Sequence, residues 1–263
     1  MMWGWRTISY LALMLLALVL WINRLQSESI TPDWQEPVSL RIYPVNADQT
    51  IATAEYLATL TNDDFSDIEQ FFAAESKRYG LPLENPLSVE LYSVVTSLPP
   101  EAPETASILD SLWWGLRMRL WVAGNDQFDA DDNTIRVFMN YYSPTLNSTM
   151  KHSLGLQKGR IGLVNGFASD RFQGLNHFVA VHEALHTLGA LDRYDPETAE
   201  PIWPDGFADP VQVPLYPQTR AEVMGGRIPL VPGVAVLPSS LSFAHIGPAT
   251  ASEIGWLDAV VEQ

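Results

Sequence analysis

One stretch constrains this chain more than any other: VHEALHTLGALDRYD, from Val181 to Asp195. Val181, Leu185 and Leu188 mark the apolar face of a helix, and Gly189 stops it by taking positive φ. A helix predicted from about Leu175 to Leu188 carries His182 and His186 four residues apart, on one face. Their side chains then lie roughly 5–6 Å apart, close enough to share one ion. Glu183 is one residue further round, so it flanks such an ion without needing to ligate it. After Gly189 the chain can reverse and bring Asp192 to the same point. Two imidazoles and a carboxylate, with one position left for water, form a catalytic zinc set. Asp195 is close enough to compete with Asp192. His177 precedes His182 by five residues, falls off the metal-binding face, and is expected to be structural.

HExxH alone recurs by chance on surface helices. The added glycine and aspartate, the apolar helix face, and the use of two of only five histidines here favour a metal site. With these residues in place, the sequence resembles the metzincin metallopeptidases. Their signature is HExxHxxGxx followed by His or Asp, with a methionine-containing turn downstream. The match is His182, Glu183, His186, Gly189 and Asp192, with Met224 of AEVMGGR as the methionine. The resemblance covers roughly residues 160 to 225. It implies that Met224 lies beneath the metal in a tight turn, which Gly225 and Gly226 would permit. It also implies an edge strand that pairs with an extended peptide substrate, for which Ile161 to Asn165 is the candidate. No tyrosine follows Met224, so Tyr194, His245 and Arg227 are the candidates for oxyanion stabilisation.

The implied chemistry is zinc-assisted hydrolysis of a peptide bond, with Glu183 taking a proton from the water and passing it to the leaving nitrogen. Rival readings are a catalytically inactive metal-binding domain on a peptidase fold and a two-His-one-carboxylate iron oxygenase, which leaves Glu183 without a duty. A weaker one is calcium held by Asp192 and Asp195.

Residues 8–22 read ISYLALMLLALVLWI, an almost unbroken apolar run between Arg6 and Arg24. At about 1.5 Å per residue the run is slightly short for a bilayer core, and Trp3, Trp5 and Trp21 can extend it at the interfaces. It reads as a signal anchor over residues 1–24, or as a cleaved signal peptide lacking a good cleavage site. Residues 25–38 then form a linker, and 39–263 the metallopeptidase-like domain, which is expected outside the cytoplasm. The formal net charge of −16 comes without any basic stripe, which argues against nucleic acid as a partner. The absence of cysteine excludes disulfides, thiol catalysis and thiolate metal sites.

Elsewhere, strands are predicted at 39–45, 88–95, 134–142 and 160–168. Helices are predicted at 63–79, capped by Asn62, and near 249–255. Residues 107–121 fit a helix with Ile108, Leu112 and Leu116 on its apolar face, although Leu116 to Val122 also alternate like a strand. The expected fold is α+β and metzincin-like: a twisted mixed sheet, an active-site helix and a mostly irregular C-terminal subdomain, preceded by one N-terminal transmembrane helix.

Overall fold

The computed structural model describes residues 31–103, 107–126, 133–147, 153–156 and 159–257, together with Tyr10 and Met14. The apolar run expected to anchor the chain lies outside the described residues. Among those described, no helix is long and apolar enough to cross a membrane. The chain divides into two compact units, Met1–Ile30 and Thr31–Gln263, and all the strands and the helices named below belong to the second.

That unit is mixed α/β, built on a mixed five-stranded sheet. Its strands are β1 (Val38–Asn46), β2 (Leu87–Leu91), β3 (Thr134–Tyr142), β4 (Leu154–Leu156) and β5 (Ile161–Phe167), in the order β2-β1-β3-β5-β4. Four run parallel, and β4 pairs antiparallel with β5 at the edge. The central strands bury both faces, as parallel strands covered by helices must. Val38, Leu40 and Ile42 of β1 join Ile135, Val137 and Met139 of β3 in one core cluster. Tyr43, Val45 and Phe138 face the other way into a second, smaller cluster.

Helices fill these two layers. Two of them, α1 (Ile51–Leu57) and α2 (Ser66–Tyr79), precede α3 (Ile108–Asn125), which is followed by α4 (Gln173–Thr187) and the short α5 (Pro248–Glu253). Phe71 and Phe72 of α2 and Phe178, Val181 and Leu185 of α4 join the larger cluster. Met118 and Val122 of α3 close the smaller one. Between Thr187 and Ala221 there is no long helix or strand, so the C-terminal part is largely irregular, as expected.

Several expectations need correction. Thr61 closes a capping box with Asp64 on the 3-10 turn Asn62–Phe65 that leads into α2, whose own N-cap is Phe65; Asn62 instead bonds the backbone of Val89 and Leu91. The strand expected at 88–95 ends at Leu91, and only Val95 returns to pair with Val45. Helix α1 was not anticipated, because it is only two turns long. Residues 107–121 are helical and continue to Asn125, but their leucines face solvent, because the smaller core takes only the Met118 and Val122 side. Ile161 to Asn165 is not the edge strand: Ile161–Leu163 pair with β4, which takes the edge position. The stretch expected as linker contributes Trp34, which is buried edge-on against Trp256 and donates to the Ile254 carbonyl at 2.7 Å.

Candidate metal centre

Helix α4 is buried along most of its length. Phe178, Val181, Ala184 and Leu185 pack into the core, which leaves His182, Glu183 and His186 on the neighbouring stripe. The helix stops as its sequence requires: Gly189 has φ 111°, and the Ala190 amide bonds back to the Leu185 carbonyl at 3.1 Å.

That reversal supplies the first orienting contact. The Ala190 carbonyl lies 2.8 Å from His186 Nδ1. The Val223 carbonyl lies 2.9 Å from His182 Nδ1. A carbonyl can only accept, so both rings donate from Nδ1, and Nε2 of each is the nitrogen turned towards Asp192 and open to a metal in place of its proton. The two rings stand at 89° with centroids 4.7 Å apart. Asp192 Oδ1 lies 3.2 Å from Nε2 of His182 and 3.1 Å from Nε2 of His186. One donor atom from each residue thus falls within 4.8 Å of the others. Ligand–ligand edges of a tetrahedron with bonds of about 2.0–2.1 Å are roughly 3.3 Å, close to the two edges that Asp192 makes, so this group could hold a metal ion such as zinc. Carbonyl-held imidazoles are the usual second layer of such a site.

Electrostatics follow from the packing. Burial pushes the Glu183 carboxyl up from its ordinary value, against the opposing pull of His182 and His186. Burial would likewise raise Asp192, but hydrogen bonds to the two imidazoles outweigh it and hold that carboxylate well below its usual range. Burial disfavours charge on His186, yet Asp192 and the Ala190 carbonyl leave its pKa raised. The Tyr194 ring lies 6.2 Å from that of His182. Burial, with the Asp192 carboxylate beside it, pushes its hydroxyl up to about 12, so it stays protonated and can donate.

The remaining sequence candidates sort clearly. Met224 is fully buried, in a turn closed by bonds from the Gly226 amide to the Glu222 and Val223 carbonyls, both 3.1 Å. The turn touches the centre on both sides. Val223 holds His182, and the Met224 carbonyl accepts from the Arg193 amide at 2.8 Å, next to Asp192. Asp195 is not in the cluster, since its carboxylate accepts from the Glu197 and Thr198 amides. His245 is held by Glu75 and Arg220, and buried His177 by Asp67, so both serve the scaffold.

Three supporting residues escaped the sequence reading. Glu253 of α5 accepts from the Leu191 amide at 3.0 Å and pairs with Arg193, gripping the chain on both sides of Asp192. Buried Glu222 accepts from the Gly225 and Gly247 amides and the Thr250 hydroxyl, tying the methionine turn to α5. Gly155, in the three-residue β4, lies directly against Glu183 and His186. The only local signal was glycine between two leucines. The two glutamates act across distances in sequence that no periodicity reveals.

No protein-family model matches this chain, and no curated protein matches it at a significant level.

Proposed function

We propose that this chain is a zinc-dependent peptidase of metzincin type, held at a membrane by its N-terminal apolar run, with the Thr31–Gln263 unit outside the cytoplasm. The observation that carries the reading is the convergence of His182 Nε2, His186 Nε2 and Asp192 Oδ1, with both Nδ1 atoms occupied by carbonyls and Glu183 buried alongside.

When bound by these three residues, zinc supplies the Lewis acidity that lowers the pKa of a water and polarises a carbonyl. The chain's own residues do the rest. Val223 and Ala190 fix the two imidazoles in the ligating tautomer. Glu183, its pKa raised by burial, takes the proton from the attacking water at its carboxylate and delivers it to the leaving nitrogen. The protonated Tyr194 hydroxyl is the best-placed donor for the developing oxyanion, and His245, committed to Glu75 and Arg220, is not free for that role. An extended peptide adds to the outer edge of β4, the last strand of the sheet and the one against Glu183.

The test is a peptide-library cleavage screen with and without a chelator, run on the wild type and Glu183→Gln. Cleavage should require zinc and vanish in Glu183→Gln, while zinc content stays near one per chain. Equal cleavage by the variant would remove Glu183 from the mechanism. Iron in place of zinc in protein purified without added metal would remove the peptidase reading.

A further inference from the structure

Helix α3 buries one narrow side and exposes the other. Met118 and Val122 enter the core, and Trp114 and Trp121 lie half-buried beside them. Opposite them, Leu109, Leu112, Trp113, Leu116 and Leu120 are between 46% and 76% exposed. At about 100° per residue these five fall within an arc of roughly 100° and span about 17 Å of helix. Their exposed apolar area is on the order of 600 Å², the top of what an ordinary monomer surface leaves open. On the same wheel Arg117 and Arg119 stand about 80° to either side of the stripe's centre. Both are exposed, and Arg119 also reaches back to the Gly115 carbonyl.

The charge pattern selects the occupant. The chain has a net charge of −16, yet this helix sets Arg117 and Arg119 against a single acid, Asp110. A second copy docked through the same face would bring one basic rim against another. Leucine and tryptophan bounded by arginines match the interface of an anionic bilayer, where apolar groups enter the acyl boundary and guanidinium groups reach phosphates. We propose that α3 is an interfacial membrane helix that lays the catalytic unit flat on an anionic lipid surface. This rests on reading Ile8–Ile22 as an anchor, since a tether raises the local concentration of so short a helix at the bilayer. Helix α3 covers one face of the sheet and α4 packs on the other, so the metal-bearing face stays in water. The substrates favoured by this arrangement are polypeptide segments close to the membrane surface.

The chain has no cysteine, so Leu116→Cys gives a unique labelling position on the exposed stripe. The full chain carrying Leu116→Cys is labelled with a polarity-sensitive fluorophore. It is then reconstituted in phosphatidylcholine–phosphatidylglycerol vesicles, with exposed Glu84→Cys as the reference. The protein should float with the vesicles. The Leu116→Cys label should shift to the blue and be quenched by brominated lipid but not by iodide, and the Glu84→Cys label should behave oppositely. Flotation with a water-exposed Leu116→Cys label would overturn the proposal and leave the anchor standing. Failure to float would overturn both. A blue shift without vesicles that grows with protein concentration would assign the face to a second copy and overturn the lipid assignment.

Discussion

Gly155→Ala puts a single methyl group where the structure has no space for one. Gly155 is not in the left-handed region, so the cost is one of packing and not of backbone strain. A Cβ at this position would lie 2.5 Å from His186 Cβ, 2.8 Å from the Glu183 carbonyl oxygen and 3.2 Å from Glu183 Oε2. Carbon atoms rest about 3.5–4.0 Å apart, so strand and helix must separate by about 1 Å. Helix α4 cannot retreat, because Val181 and Leu185 behind it are fully buried. The displacement therefore falls on β4 and its pairing with β5. Overpacking of this kind costs about 1–3 kcal/mol. At about 2–4 °C per kcal/mol for a unit of this size, the melting temperature of metal-free protein should drop by roughly 2–12 °C. If the outer edge of β4 receives the peptide as proposed, displacing it by about 1 Å should reduce cleavage on the order of 100-fold. Thermal unfolding and peptide cleavage measure the two consequences. Gly124→Ala, with no heavy atom within 4 Å of its new Cβ, is the control, and should stabilise helix α3 by up to about 1 kcal/mol. A Gly155→Ala protein that melts and cleaves like the wild type would refute the close approach of β4 to the centre.

Three further outcomes follow from the same contacts. Glu253→Ala frees the Leu191 amide and Arg193 on either side of Asp192, so zinc affinity in chelator competition should fall about 10–100-fold. Unchanged affinity would show that Asp192 holds its place without α5. Glu222→Ala leaves two buried amides and a hydroxyl without their acceptor, and denaturant unfolding should show a loss of about 3 kcal/mol or more. A loss below about 1 kcal/mol would mean that water replaces the carboxylate. Burial would raise the Glu75 carboxyl, but bonds from His245, Arg78 and the Ile246 amide hold it below its ordinary value of 4.5. Because its folded-state pKa is depressed, Glu75 contributes stability above about pH 4.5, and that contribution is lost as pH falls through the folded value. The wild type should exceed Glu75→Gln in denaturant midpoint at pH 6, and the gap should close on acidification. A gap that stays constant down to pH 3 would remove Glu75 from the acid transition.

What could be read from the sequence was local. A four-residue histidine spacing, an apolar helix stripe and a helix-stopping glycine each act within a few residues, and α4 with its reversal at Gly189 has the expected form. Spacing alone favours Asp192 over Asp195 as the neighbour of the histidines, and in the structure Asp192 lies beside both rings while Asp195 is committed to its own turn. Strand β3 was equally plain from its alternation. What could not be read was long-range. Nothing near Ile161–Leu163 announces that three residues upstream will cover their edge, and nothing near Glu253 points to a loop about 60 residues earlier. Periodicity found α3 but not its orientation, because a helix with apolar residues on both sides does not say which side the core will take.

The grip of Glu253 on both neighbours of Asp192 has a bearing on biosynthesis. All three clustered side chains have been translated by residue 192, but the glutamate that clamps the chain on either side of Asp192 follows about 60 residues later. A nascent polypeptide still held by the ribosome would carry its histidine helix without a finished centre. The arrangement of the three donors would thus be completed only after residue 253 has emerged.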